Sequence, residues 1–388
     1  MVVTKQLALF CTLFLAVINN ALAAVLDDDR VDVLYQSYDG GGTKVQAPAI
    51  FIRKKMTEGT AVSAHALTDM VSGASIDVEV NGASEYEEQR NEMGIALEFL
   101  KDKSIYNASL SKSTENDYDT QSIAAGISQD FFGDLSNLAI SVSYADSSVG
   151  KTGDVNFSET AQQYSLSLTW AQVLTKHLIA SLTFNKAIDE GYLQNPYRFT
   201  RYKTQSDKGW TLQYIGDKDD ALAYGFPDIR SSEALALKLR YLVSHDHALY
   251  GGFRLFQDSF KVEANNIDIG YNFRLQENWL FDINIRYYQQ TAAEFYSDIY
   301  ERPNQTSFRT RDKELSSFNN TMLSISASYD LPPYANWIKK SSVHAYIDHI
   351  AFDYDDFRDA TAIGYKAGEE PLYQFSANLV RIMYSLWF

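Results

Sequence analysis

Residues 266–290 read NIDIGYNFRLQENWLFDINIRYYQQ, and their alternation decides the fold. Ile267, Ile269, Tyr271, Phe273 and Leu275 share one parity, against Asn266, Asp268, Gly270, Asn272 and Arg274 on the other. After Gln276–Asn278 the pattern resumes, with Trp279, Phe281, Ile283, Ile285 and Tyr287 set against Asp282, Asn284, Arg286, Tyr288 and Gln290. Successive side chains of a strand point to opposite faces, so this spacing gives each segment one apolar and one strongly polar face. A soluble sandwich buries its apolar faces and scatters ordinary surface residues over the others. A barrel in lipid reverses that geometry, apolar outside and wet inside.

The same alternation recurs along the chain, at Met93–Phe99, Leu138–Tyr144, Tyr164–Trp170 and Leu235–Tyr241. Gly, Ala, Ser and Thr are prominent on the second face, as a lumen wall requires. The links alternate in length as well. Short ones lie near Lys101–Ser104, Gly133–Ser136, Leu174–Lys176, Ser244–His247 and Gln276–Asn278. Longer ones lie at Ser72–Tyr86, Ser147–Thr160, Asp189–Ser232, Ala292–Asp312 and Asp353–Pro371, while Asp39–Thr43 and Asp258–Lys261 are short where long links are expected. Short periplasmic turns and long outer loops are the asymmetry of outer-membrane barrels. The expected fold is all-β: a transmembrane antiparallel barrel of about 16 strands, an even number, with both termini periplasmic. Arg30–Tyr38 is the weakest strand, and Gly209–Gly216 reads as a strand extension within a loop.

The first 23 residues read as a cleaved leader, leaving 24–388 as a single barrel domain. Lys5 is the leader's only charge, Leu7–Ile18 its apolar run, and Ala21-Leu22-Ala23 its cleavage site. The run is shorter than the roughly 20 residues a spanning helix needs. Cys11 follows bulky Phe10, against a lipoprotein signal. It is the only cysteine, so disulfides, thiolate metal sites and cysteine nucleophiles are excluded once the leader is gone. The formal charge of -16 becomes -17 without Lys5, which argues against nucleic acid as a partner. With 26 Tyr against 5 Trp, the chain favours the ring that sits in lipid with its hydroxyl among headgroups, although secreted sandwiches are rich in Tyr too.

The end of the chain gives an independent signal. Ile382, Tyr384, Leu386 and Phe388 alternate up to a terminal aromatic carboxylate, in the manner of the strand that barrels present to their assembly machinery.

Asp39-Gly40-Gly41-Gly42, Lys44-Val45, Pro48-Ala49 and the run Asp69–Ser75 together resemble the barrel family called domain of unknown function 3570. Gly191-Tyr192 with Asn195-Pro196-Tyr197, and Phe226-Pro227-Asp228-Ile229-Arg230 before Ala234-Leu235, resemble the same family. The likeness extends over nearly the whole chain after the leader. It departs at Ile229 and Ser231, which dilute the polar run expected after Pro227-Asp228. The resemblance implies an outer-membrane location and no established activity. Relatives encoded near thioredoxin-like and flavin-transferring exported proteins hint at an envelope redox role.

Several groups of residues are candidate sites. Lys238, Arg240, Arg254, Asp268, Arg274, Asp282 and Arg286 fall on consecutive strands with inward phase. Such a ladder braces a wide barrel through cross-strand pairs, and a charged ring also selects ions. The link Asp189–Ser232 carries Tyr192, Tyr197, Phe199, Tyr202, Trp210 and Tyr214, too aromatic for a solvated loop, and is expected to fold as a constriction or cap. Asp353, Asp355, Asp356 and Asp359 offer hard oxygen ligands for a cation, or are simply solvated. His65 with Asp69, and His344 with Asp348, share inward phase, but residues four apart on a strand lie roughly 13 Å apart and cannot pair directly. His245-Asp246-His247 fills a tight turn, and no Gly-x-Ser-x-Gly elbow is present.

The expected function is an aqueous conduit, a porin-like channel or transporter, without enzymatic activity or cofactor. A barrel anchoring an envelope redox or partner assembly is the alternative, and an outer-membrane enzyme the third reading. Expected partners are outer-membrane lipid and lipopolysaccharide, the barrel assembly machinery, an unidentified small solute, and a periplasmic or surface protein.

Overall fold

The structure is a computed structural model and describes residues 25–73, 80, 86–206, 208–214, 225–332 and 335–388. The leader, 1–23, and most of the link Ser72–Tyr86 lie outside the described residues. Sixteen strands close one antiparallel barrel. The first nine are β1 (Arg30–Gly40), β2 (Thr43–Thr57), β3 (Thr60–Gly73), β4 (Tyr86–Lys101), β5 (Ser104–Thr114), β6 (Tyr118–Phe131), β7 (Ser136–Lys151), β8 (Asp154–Thr175) and β9 (Leu178–Gly191). Within the next connection β10 (Phe199–Lys203) and β11 (Trp210–Tyr214) form a separate two-stranded sheet. The barrel resumes with β12 (Ile229–Ser244), β13 (His247–Asp258), β14 (Glu263–Leu275) and β15 (Trp279–Gln290). It ends with β16 (Phe318–Leu331), β17 (Lys340–Arg358) and β18 (Leu372–Trp387).

Closure comes from β1, the strand least marked in the sequence. It pairs with β2 on one side and β18 on the other, from Arg30↔Trp387 to Gly40↔Ala377. Gly40 is required there, because a Cβ would collide with Ala377. The start of β1 and the end of β18 therefore lie at the short-turn end of the barrel, where Phe388 N donates to the Asp29 carbonyl at 3.1 Å.

The register keeps one parity outward all the way round. Ile269 lies opposite Ile285 and Tyr271 opposite Ile283, and Ile269 and Ile285 are 60% and 56% exposed. Every barrel strand adds at least one exposed large apolar side chain to this face, Val33 on β1, Ile95 on β4, Leu168 on β8 and Ile382 on β18 among them. Aromatic rings gather at the turn end of the belt. Trp279 packs on Tyr329 at 4.7 Å and Phe273 stacks on Phe281 at 5.3 Å. Among the described residues no helix is long and apolar enough to cross a membrane.

Two expected loops are strand instead. Ser147–Thr160 is not a long link, since β7 and β8 run on to a turn at Thr152 and Gly153, with Lys151 opposite Asp154. Likewise β17 continues through Arg358. Beyond the apolar belt polar and apolar residues mix on both faces of a strand, so the period-two contrast disappears while the hydrogen-bond ladder continues.

A candidate conduit and its cap

The inner parity lines the lumen in two kinds of wall. From β5 to β9 it presents hydroxyls, among them Ser141, Ser143, Ser165 and Ser167, with Thr169 and Thr183 in contact at 3.0 Å. Elsewhere it is charged and braced by ion pairs. Arg53 on β2 holds Glu98 on β4 through both guanidinium arms. Arg381 reaches Asp348 at 2.7 Å. Arg90 donates through Nε to Asp69 at 2.8 Å, and His65 meets Glu92 at 3.3 Å. So His65 and Asp69 each take a partner from the neighbouring strand, while His344 sits between Ser328 and Ser342 at 2.7 Å from each. Sequence reasoning missed the pairs of Arg53 and Arg381; both partners have inward phase, which was the available signal.

The structure places the seven ladder residues on the inward parity of β12 to β15. Asp268 stands opposite Arg286, and its carboxylate lies over Gly252, where a Cβ would crowd it out. Asp282 accepts a hydrogen bond from the Tyr250 hydroxyl at 2.8 Å. Arg274 sits apart at the turn end, donating to the Glu277 carbonyl at 2.9 Å. Lys238 and Arg240 remain exposed inside the barrel.

The connection from β9 to β12 folds inward over the other mouth. Tyr192 packs edge-on against Phe157 at 5.3 Å, and Tyr197 accepts from Thr152 N at 2.7 Å while its hydroxyl donates to Asp117. These contacts fix the segment to the turns of β5–β6 and β7–β8. The chain then enters the β10–β11 hairpin, whose register pairs Phe199 with Tyr214 and Tyr202 with Thr211. Phe199 and Trp210 join Tyr354 and Phe357 of β17 in a buried cluster. In ring order β17 lies eight strands from β7, half the circumference, so the segment spans the mouth as a chord. Tyr224, within the same link, lies outside the described residues.

Arg201 anchors the hairpin. It is fully buried, donates to Glu370 Oε1 at 2.7 Å and Oε2 at 3.1 Å, and also bonds Asp298 through its carboxylate and carbonyl. Arg311 reaches the same Asp298 carboxylate at 3.1 Å. Arg201 thus joins three outer connections, its own 192–228, 291–317 through Asp298 and 359–371 through Glu370. Backbone bonds reinforce the joint, Lys203 N to Tyr300 O at 2.8 Å and Tyr300 N to Arg201 O at 2.9 Å. In the sequence Arg201 is one of four basic residues of the link, with Arg198, Lys203 and Lys208, whose charge suits docking inward, but a loop has no period that singles it out.

The four aspartates of the expected cation loop do not converge. Asp353, Asp355 and Asp356 lie on β17, whose continuation spreads them along a strand. Asp356 instead accepts from Ser317 N at 2.9 Å, and Asp359 from Thr361 N at 2.9 Å. Among the described residues the carboxylates that do meet, with oxygens within 4.8 Å of one another, are those of Glu88, Glu115 and Asp117 on the outer rim beside Tyr197.

This rim makes the cap sensitive to pH. Burial, then the charge of Glu88, pushes Glu115 up to about 7. Burial, then the charge of Asp312, pushes Glu314 up to about 7 as well. Burial also raises Glu370, but hydrogen bonds from Arg201 outweigh it and hold that carboxyl below its ordinary value. A group whose folded pKa is raised binds protons more tightly when folded, so its contribution is lost as pH climbs from 4.5 towards about 7. The Glu370 contribution is lost only below its ordinary value of 4.5. The cap is therefore tightest near pH 5. Limited proteolysis of the 192–228 connection in detergent should be faster at pH 8 than at pH 5, and Glu115→Gln with Glu314→Gln should level the two rates. Equal rates in the unsubstituted protein would contradict this.

The fold has counterparts among solved outer-membrane proteins. The bacterial polysaccharide outer membrane secretin matches with a TM-score of 0.50 at 8% identity, over 94% of this chain and 100% of that one. A Pseudomonas aeruginosa FadL homologue matches at 0.41 and 10% identity, over 93% and 90%. The siderophore receptor PirA from Pseudomonas aeruginosa matches at 0.42 and 9% identity, over 93% and 81%. At such identities the likeness to the secretin speaks for the fold alone. No curated protein matches the sequence. The family model described as "Protein of unknown function (DUF3570)" matches residues 78–346. The motifs at 39–75 lie before that match, so the model covers less of the chain than the sequence resemblance did. It still spans more than half the chain, and the protein belongs to that family.

Proposed function

We propose that the protein is an outer-membrane barrel serving as an aqueous conduit, with the folded β10–β11 connection narrowing its outer mouth. One observation carries the reading: all sixteen barrel strands expose apolar side chains outward, while the opposite parity holds solvent-exposed Lys238 and Arg240. Water cannot stabilise such a belt, whereas lipid can, and a closed ring leaves no unpaired strand edge in the bilayer. Barrels of 16–18 strands leave an aqueous channel. In this orientation the short turns and both termini are periplasmic, the leader directs export, and the end of β18 with Phe388 is read by the assembly machinery. The polar rim beyond the belt meets lipopolysaccharide. In this reading the barrel is neither an enzyme nor the holder of a cofactor.

Purified protein in planar bilayers tests the proposal. Discrete, ohmic conductance steps are expected. A barrel that inserts but passes no current, while a periplasmic protein co-purifies with it, would favour the anchoring reading instead.

A further inference from the structure

We propose that the conduit favours small hydrated anions, such as chloride, phosphate and simple carboxylates, at a cationic strip on the inner face of β12 to β15. The inference rests on the conduit reading above. It runs against the chain's net charge of -16, which alone suggests a cation path. Net charge does not set the field inside a lumen, because charges farther away than the Debye length of about 8 Å at physiological salt are largely screened. The charges on the wall decide it.

Most inner-face charges are locally balanced. Arg53 is held by Glu98, Arg90 by Asp69, and Arg381 by Asp348. The hydroxyl wall from β5 to β9 carries Asp130 near the turn end and Glu159 and Asp189 near the outer rim, with no charge on the inward parity between them. The strip is different. Lys238, Arg240, Arg254 and Arg286 face inward there against Asp268 and Asp282, an excess of two positive charges. Asp268 stands opposite Arg286, and Asp282 already accepts the Tyr250 hydroxyl at 2.8 Å.

Lys238 and Arg240 are the centre of the strip. They are neighbours on one face of one strand, roughly 7 Å apart at 3.4 Å per residue. Their cross-strand neighbours are uncharged on both sides. Lys238 lies between Ser181 and Gly252, and Arg240 between Ile179 and Tyr250. Arg254 continues the strip, between Ala236 and Asn266. Two exposed cations side by side, with no acid directly opposite on either neighbouring strand and Asp282 near Arg240 beyond Tyr250, repel one another, and a mobile anion relieves that repulsion. Rings of Lys and Arg select anions in this way.

The test is the reversal potential across a tenfold KCl gradient in planar bilayers, with inorganic phosphate in place of chloride as a second probe. The unsubstituted protein should pass chloride in preference to potassium. Lys238→Glu with Arg240→Glu should reverse the sign of the potential while conductance steps persist. Lys238→Gln with Arg240→Gln, the milder change, should bring it towards zero. A conducting barrel that prefers potassium, or variants with an unchanged potential, would overturn the inference and leave the conduit standing. A barrel that never conducts would overturn both.

Discussion

Replacing residues 195–217 with a short Gly-Ser linker is expected to raise single-channel conductance several-fold while the barrel still assembles. The ring does not depend on the segment, because β9 and β12 pair directly from Glu190↔Ile229 to Leu178↔Tyr241. What is lost is the chord across the mouth, from Tyr197 at the β5–β8 rim to Phe199 and Trp210 against β17. The exchange also strands Glu370 without Arg201, and removing one partner of a buried pair costs about 3–5 kcal/mol. Glu370→Gln should therefore accompany it, while Asp298 keeps Arg311 as its partner. Arg201→Met alone should act in the same direction, as more frequent openings to a larger level. Unchanged conductance in both variants would mean that the connection lies on the mouth without obstructing it.

Ile283→Arg should weaken the folded barrel in bilayers by about 2–4 kcal/mol, the cost of a cation on the lipid face near the midplane. Ile283 faces outward between Tyr271 and Ile325, so a guanidinium there has only hydrocarbon around it. Asn284→Arg, one residue on, should be nearly neutral. Its side chain is on the inward parity between Gly270 and Ser324, half-buried and turned away from the apolar belt. Urea unfolding of both variants in phospholipid vesicles measures the difference. Equal losses would mean that the two faces are not in different solvents.

The contrast between these neighbours was legible in the sequence, because in β14 and β15 one parity is apolar and the other charged or amidic. In the proposed membrane setting, lipid enforces that contrast only over the height of the belt. Above it, β7, β8 and β17 mix polar and apolar residues on both faces, so their outer ends read as loops, and Asp353 with its neighbours read as one cluster. β1 was faint for another reason. Its inward side mixes Asp32, Leu34, Gln36 and Tyr38, so the contrast between its two faces is weak. The cap was visible as composition, in the aromatics between Tyr192 and Tyr214, but not as geometry. Arg201, Asp298 and Glu370 are separated by 97 and 72 residues, and only the fold brings them together.

The central claim is a barrel with lipid outside and water inside, and single cysteines along β15 test it most directly. Cys11, the only cysteine in the sequence, is first replaced by serine. Outer-membrane fragments open to both sides are then treated with a charged, membrane-impermeant thiol reagent. Cysteines at Asp282, Asn284 and Arg286 should react, and those at Phe281, Ile283 and Ile285 should not. Reaction at all six positions, or with the parity reversed, would contradict the account.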